Sequence, residues 1–121
     1  MKKILVVEDE APLQEALGEA LSQAGFKVIR ALEGDAAVRL AKSELPDLIL
    51  LDLMLPNKDG FEILEEIKKN SSTEKIPVII LTNLEGIKDV DKAISAGATT
   101  YLVKTHYRIT EIIDKVKQTL A

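Results

Sequence analysis

The chain has 121 residues, 46% of them apolar and 30% charged, with a net charge of −4 and no cysteine. That length suits one domain with one hydrophobic core, and the composition is that of an ordinary soluble globular protein. The acidic balance argues against direct nucleic-acid binding, which needs a basic face, and the missing thiols exclude disulfides and thiolate metal sites.

Lys2 and Lys3 precede an apolar run, Ile4–Val7, which Glu8, Asp9 and Glu10 end far too early for a secretory leader. No stretch nears the roughly 20 apolar residues of a membrane span. A cytoplasmic chain without membrane insertion is expected. Ile4–Val7 reads instead as a strand covered on both faces. An amphipathic helix follows, with Pro12 early, Leu13, Leu17, Ala20, Leu21 and Ala24 on one face, and Gly25 as its stop. Lys27–Ala31 is a second strand. A second helix, from about Asp35 to Ser43, buries Ala37, Val38 and Ala41. After the strand Leu48–Leu51, the stretch Lys58-Asp59-Gly60 reads as a turn in which glycine supplies the permissive backbone. A third helix starts near Gly60, with Phe61, Leu64 and Ile67 on one side. Lys68-Lys69 looks like a solvated face.

Val78–Leu81 is the fourth strand, and the helix Gly86 to Ala96 carries Ile87, Val90 and Ile94 before closing at Gly97. A weaker strand, Thr100–Val103, leads to a last helix with Ile109, Ile112, Ile113, Val116 and Leu120 at helical spacing and Thr110 as its cap. Five strands that each precede a helix imply parallel pairing through right-handed crossovers. The expected class is α/β: one domain over 1–121, a doubly wound five-stranded parallel sheet of flavodoxin-like (βα)5 type, order 2-1-3-4-5.

In such sheets ligands bind beyond the carboxyl ends of the strands. Strand one ends in Glu8 and Asp9, strand three in Asp52, strand four in Thr82, and strand five in Lys104. Neighbouring strands lie about 4.8 Å apart, so these groups converge. Like charges so close raise one another's pKa unless a cation neutralises them. Carboxylate oxygens without His or Cys suit Mg²⁺, with Mn²⁺ as an alternative, and Mg²⁺ welcomes a phosphate as ligand. A carboxylate beside it can act as nucleophile and form an aspartyl-phosphate, with Lys104 and Thr82 on the phosphoryl oxygens.

The sequence resembles a known family at these positions. ED at 8–9, LLDLMLPNKDG at 50–60, LT at 81–82 and YLVK at 101–104 are similar to the receiver domain of bacterial two-component response regulators, in the same order and on the same strand ends. The resemblance covers essentially the whole chain. It implies a signalling switch rather than an enzyme, in which Asp52 accepts a phosphoryl group from a histidine kinase or histidine phosphotransfer protein. It implies that Asp9, Asp52 and the Met54 backbone carbonyl bind Mg²⁺, with Glu8 acting through a bound water. Thr82 and Tyr101 are then the switch pair, relaying the change to a protein target on the face of helix four, strand five and helix five. With no output domain after the last helix, the chain resembles a stand-alone, chemotaxis-type receiver, monomeric or dimerising on phosphorylation.

Three positions depart from the family pattern. Thr105 stands where proline usually follows the lysine, Asn83 is bulkier than the usual small residue, and the acids continue to Glu10, expected exposed at the positive end of the first helix. Two other chemistries fail on the residues. A flavin or nucleotide carrier needs a phosphate-cradling loop where EDE stands, and an aspartyl phosphohydrolase of the haloacid-dehalogenase type needs an Asp where Met54 stands. A receiver-shaped module that binds partners without phosphorylation is the alternative. His106, the sole histidine, lies in a polar loop and is not expected to carry phosphate, and Phe26 and Phe61 belong to the core.

Overall fold

The apolar runs and helical stripes alternate along the whole of residues 1–121 in a computed structural model. The order is β1 (Lys3–Val7), α1 (Ala11–Gln23), β2 (Lys27–Ala31), α2 (Gly34–Glu44), β3 (Leu48–Leu51), α3 (Gly60–Lys69), β4 (Val78–Thr82), α4 (Ile87–Ser95), β5 (Thr100–Val103) and α5 (Ile109–Leu120). The five strands form one sheet, β2-β1-β3-β4-β5, parallel throughout, as expected. Side chains alternate across a strand, so the sheet feeds two cores. Leu5, Val7, Ile49, Leu51 and Ile80 pack under α2, α3 and α4. Ile4, Val6, Leu48, Leu50, Ile79 and Leu81 pack under α1 and α5. Val7 stands level with both Ala31 and Leu51, and Thr82 with Val103. Glu8, Asp52 and Lys104 therefore leave the sheet along one edge. No helix is long and apolar enough to cross a membrane.

Four local expectations are corrected. The stripe Ile87–Val90–Ile94 does not face the core: Ile87 is 79% and Ile94 47% exposed, while Ala93 is the buried residue of α4. Small side chains at Ala93, Ala96 and Ala98 line the contact with the core, which turns the larger residues outward. Thr110 is not the cap of α5. Arg108 is, and its backbone N–H donates to the Glu111 carboxylate at 2.9 Å. Lys68 is half-buried rather than freely solvated; its ammonium donates to the carbonyls of Glu74 at 3.0 Å and Ile76 at 2.7 Å. Burial lowers its pKa.

Gly60, finally, is the first residue of α3 and has no positive φ; the left-handed residue of the turn is Asn57, at φ 68°. Asp59 caps the helix, accepting from the Phe61 N–H at 2.9 Å. Glycine is needed at 60 for space, because a Cβ there would lie 2.3 Å from the Leu53 Cα and 2.8 Å from the Asp52 carbonyl oxygen. Backbone cannot step aside as a flexible side chain can. Gly60→Ala is therefore expected to cost about 2–3 kcal/mol, the upper part of the range for overpacking, read as a lowered denaturation midpoint.

Candidate functional site

Parallel pairing brings Glu8, Asp9, Asp52 and Lys104 to one place, and Thr82 ends the β4 strand that lies between β3 and β5. Glu8 and Asp52 are buried, at 2% and 4% exposure, and Asp9 is exposed at the mouth. One carboxylate oxygen from each of the three lies within 4.8 Å of the others. The Lys104 ammonium bridges two of them, 2.7 Å from Glu8 Oε1 and 2.8 Å from Asp52 Oδ2. Glu10, exposed at the start of α1 as expected, adds a looser contact to Lys104 at 3.7 Å, which the sequence did not disclose. Its N–H donates to Glu8 Oε2 at 3.0 Å. The other Asp52 oxygen, Oδ1, accepts from the Met54 N–H at 3.0 Å.

These contacts set the ionisation. Burial pushes the Glu8 carboxyl above its ordinary range, despite Lys104 beside it. Burial works against the Lys104 ammonium, but its hydrogen bonds to Asp52 and Glu8 outweigh that and hold its pKa above the usual lysine value. Three acids against one lysine still leave the edge negative.

Thr82 is fully buried, and its hydroxyl has no hydrogen-bond partner. An orphaned buried hydroxyl costs about 1–3 kcal/mol and wants an explanation. Tyr101 is half-buried, and its hydroxyl donates to the Leu84 carbonyl at 2.8 Å, in the β4–α4 connection. Burial raises its phenol pKa. Asn83 and Met54 are exposed. Beyond Lys104 the chain makes a short 3-10 turn, Lys104–His106, with all peptide bonds trans, so Thr105 is accommodated without proline. His106 pairs with Glu85 at 3.0 Å, both exposed.

Gln14 was not anticipated. It is 3% exposed, and its amide nitrogen lies 3.1 Å from the Val6 carbonyl and 3.2 Å from those of Glu8 and Ala31. It ties the β1–α1 connection, which carries Glu8 and Asp9, to the end of β2. The signal was present: the buried residues of α1 are Gln14, Leu17, Gly18 and Leu21, a helical i, i+3, i+4, i+7 series with a polar residue on it. Gln14→Leu withdraws a donor from buried carbonyls and is expected to cost about 1–3 kcal/mol, measured by urea denaturation.

A hard oxygen donor set, free of nitrogen and sulfur ligands, fits Mg²⁺ or Mn²⁺. The Thr82 hydroxyl, buried and without a partner, is left as a free hydrogen-bonding group at the end of β4.

Residues 4–117 match the family described as the response regulator receiver domain. The phosphate regulon transcriptional regulatory protein PhoB of Escherichia coli (strain K12) is 38% identical over 116 residues, covering 96% of this chain and 50% of PhoB. The chain thus spans about half the length of the curated relatives it matches. Among solved structures, a CheY-like response regulator receiver domain protein from Methanospirillum hungatei JF-1 superposes with a TM-score of 0.92 at 25% identity, covering 99% of this chain and 94% of that one. The receiver domain of sensor histidine kinase PA1611 from Pseudomonas aeruginosa PAO1, described with a magnesium ion in its active-site cleft, gives 0.87 at 30% identity, covering 97% and 95%. The family match over residues 4–117, together with 38% identity to PhoB over 96% of the chain, shows that the chain belongs to the response regulator receiver domains.

Proposed function

We propose that Asp52 is the phosphoacceptor of a Mg²⁺-dependent switch, charged by a histidine kinase or a histidine phosphotransfer protein. The observation that carries this reading is the Lys104 ammonium held 2.7 and 2.8 Å from Glu8 and Asp52, with a buried, unpartnered Thr82 hydroxyl at the end of the strand between β3 and β5. Asp9, Asp52 and the Met54 carbonyl would hold the metal, with Glu8 acting through water. When bound, it would neutralise the carboxylates and the charge gathering on the phosphoryl oxygens.

An Asp52 oxygen attacks phosphorus, and the bond to the donor imidazole nitrogen breaks as the new O–P bond forms. The Met54 N–H orients the carboxylate. Lys104 releases Asp52 and takes a phosphoryl oxygen as a point charge, and the Thr82 hydroxyl donates to another. Turning Thr82 toward the phosphoryl group would let Tyr101 move inward, its hydroxyl now anchored to Leu84, two residues beyond Thr82. The change then reaches α4, β5 and α5. Ile87 and Ile94 stand exposed seven residues apart on one face of α4, apolar surface that a partner at this face would cover. Chemical turnover is limited to the switch's own phosphotransfer and slow dephosphorylation.

Amide NMR with Mg²⁺ and beryllofluoride tests the reading. Large shifts are expected at 52–60, 82–90 and 101–106 and none in Asp52→Asn. An unchanged wild-type spectrum at millimolar Mg²⁺ would favour a receiver-shaped module that binds partners without phosphorylation.

A further inference from the structure

The largest cavity of the molecule, about 620 Å³, shares no residue with the acidic edge; it is the groove between α2 and α3. Arg39 and Lys42 line it from α2, Lys69 from α3, and Lys58 from the connection that joins Asp52 to α3. Its two acids, Asp35 and Glu66, both face Lys58, at 3.6 and 2.9 Å. Arg39, Lys42 and Lys69 are exposed and take part in no ion pair within 4.0 Å. Four cations against two carboxylates leave this groove positive in a chain whose net charge is −4. Like charges facing one another across a groove repel, and a bound counter-charge relieves them.

The geometry points to a second binding site in the α2–α3 groove, for a compact soluble polyanion of the phosphate type. The planar fork of Arg39 matches a tetrahedral oxyanion in two contacts, and the lysines add point charges. Val38 is the groove's only apolar lining residue, which leaves nothing to hold a base or an acyl tail. The ligand is therefore the oxyanion itself.

Lys58 gives the groove a route to the acidic edge. It packs against Gly34, where an added Cβ would come within 2.8 Å of the Lys58 Cβ. An anion that draws Lys58 away from Glu66 and Asp35 moves the connection that begins at Asp52.

The test is an amide NMR titration of metal-free Asp52→Asn protein with sodium tripolyphosphate, ionic strength held constant with sodium chloride. The phosphoacceptor is then absent, so failure here leaves the reading of Asp52 untouched. Saturable shifts are expected at 35–42, 58–60 and 66–70. Affinity should fall at least tenfold in Arg39→Gln/Lys42→Gln/Lys69→Gln, whose exposed positions leave the fold intact. A nucleoside triphosphate should bind no tighter than tripolyphosphate, and phosphatidylglycerol vesicles should not broaden the same signals. Equal affinity in the triple variant, no saturation, a response that sodium chloride reproduces, or broadening by vesicles would each overturn the proposal.

Discussion

Asp52→Asn is expected to abolish phosphoryl uptake from a small phosphodonor in Mg²⁺, while the protein stays folded. An amide oxygen at 52 can still accept the Lys104 hydrogen bond now made at 2.8 Å. Its carbonyl is far too weak a nucleophile to displace an imidazole or a small leaving group. Intact-mass spectrometry reads the outcome directly, as the phosphorylated mass in wild type and its absence in the variant. Uptake that persisted in Asp52→Asn would move the acceptor elsewhere and end the assignment. Metal-free, the same variant should melt higher than wild type. Glu8, Asp9 and Asp52 place three carboxylates against one ammonium, and removing one charge reduces repulsion that Lys104 offsets only in part. A lower melting point would mean that the Lys104–Asp52 ion pair outweighs the repulsion.

The second large effect is metal binding and its pH dependence. Mg²⁺ at about one hundred times its Kd should stabilise the fold by about 2.7 kcal/mol through mass action. Burial raises the Glu8 carboxyl above its ordinary value of 4.5, and a metal needs that group ionised. Acidification therefore weakens Mg²⁺ binding at a pH already above 4.5. Metal-free protein behaves in the opposite sense. A group whose folded pKa is raised stabilises the fold below its unfolded pKa, and that contribution is lost as pH rises through the folded value. For Glu8 the loss runs upward from about 4.5. For Lys104, also raised, stability is complete below 10.5 and lost only above it. Melting curves with and without Mg²⁺ should thus coincide in acid and diverge as pH rises toward neutrality. A Mg²⁺-induced shift that was the same at acid and neutral pH would remove Glu8 from the metal's surroundings.

Helix α4 shows why some of the fold was hidden in the sequence. Its apolar stripe was legible, but periodicity says only that Ile87, Val90 and Ile94 share a face. Whether that face meets the core depends on which neighbouring surface is available. Here the closely packed alanines took the contact, and the isoleucines were left to solvent. Gln14 is the converse case. Its place in the buried i, i+3, i+4, i+7 series is visible in the sequence, yet its three carbonyl acceptors come from both β1 and β2. No local pattern announces partners that distant.

What the sequence determined by itself was the order of strands and helices and the chemistry at each strand end. Both rest on local rules: alternating periods for the elements, and acids, a hydroxyl and an amine where apolar runs stop. Tertiary structure alone decided how the charges share one another. Lys104 lies 52 residues from Asp52 and still further from Glu8, and only the parallel register brings its ammonium between them. It also decided that Gly60 serves by its small volume, because the backbone of Leu53 folds back against it. Distances between groups so far apart along the chain are set by packing, and packing belongs to the whole fold.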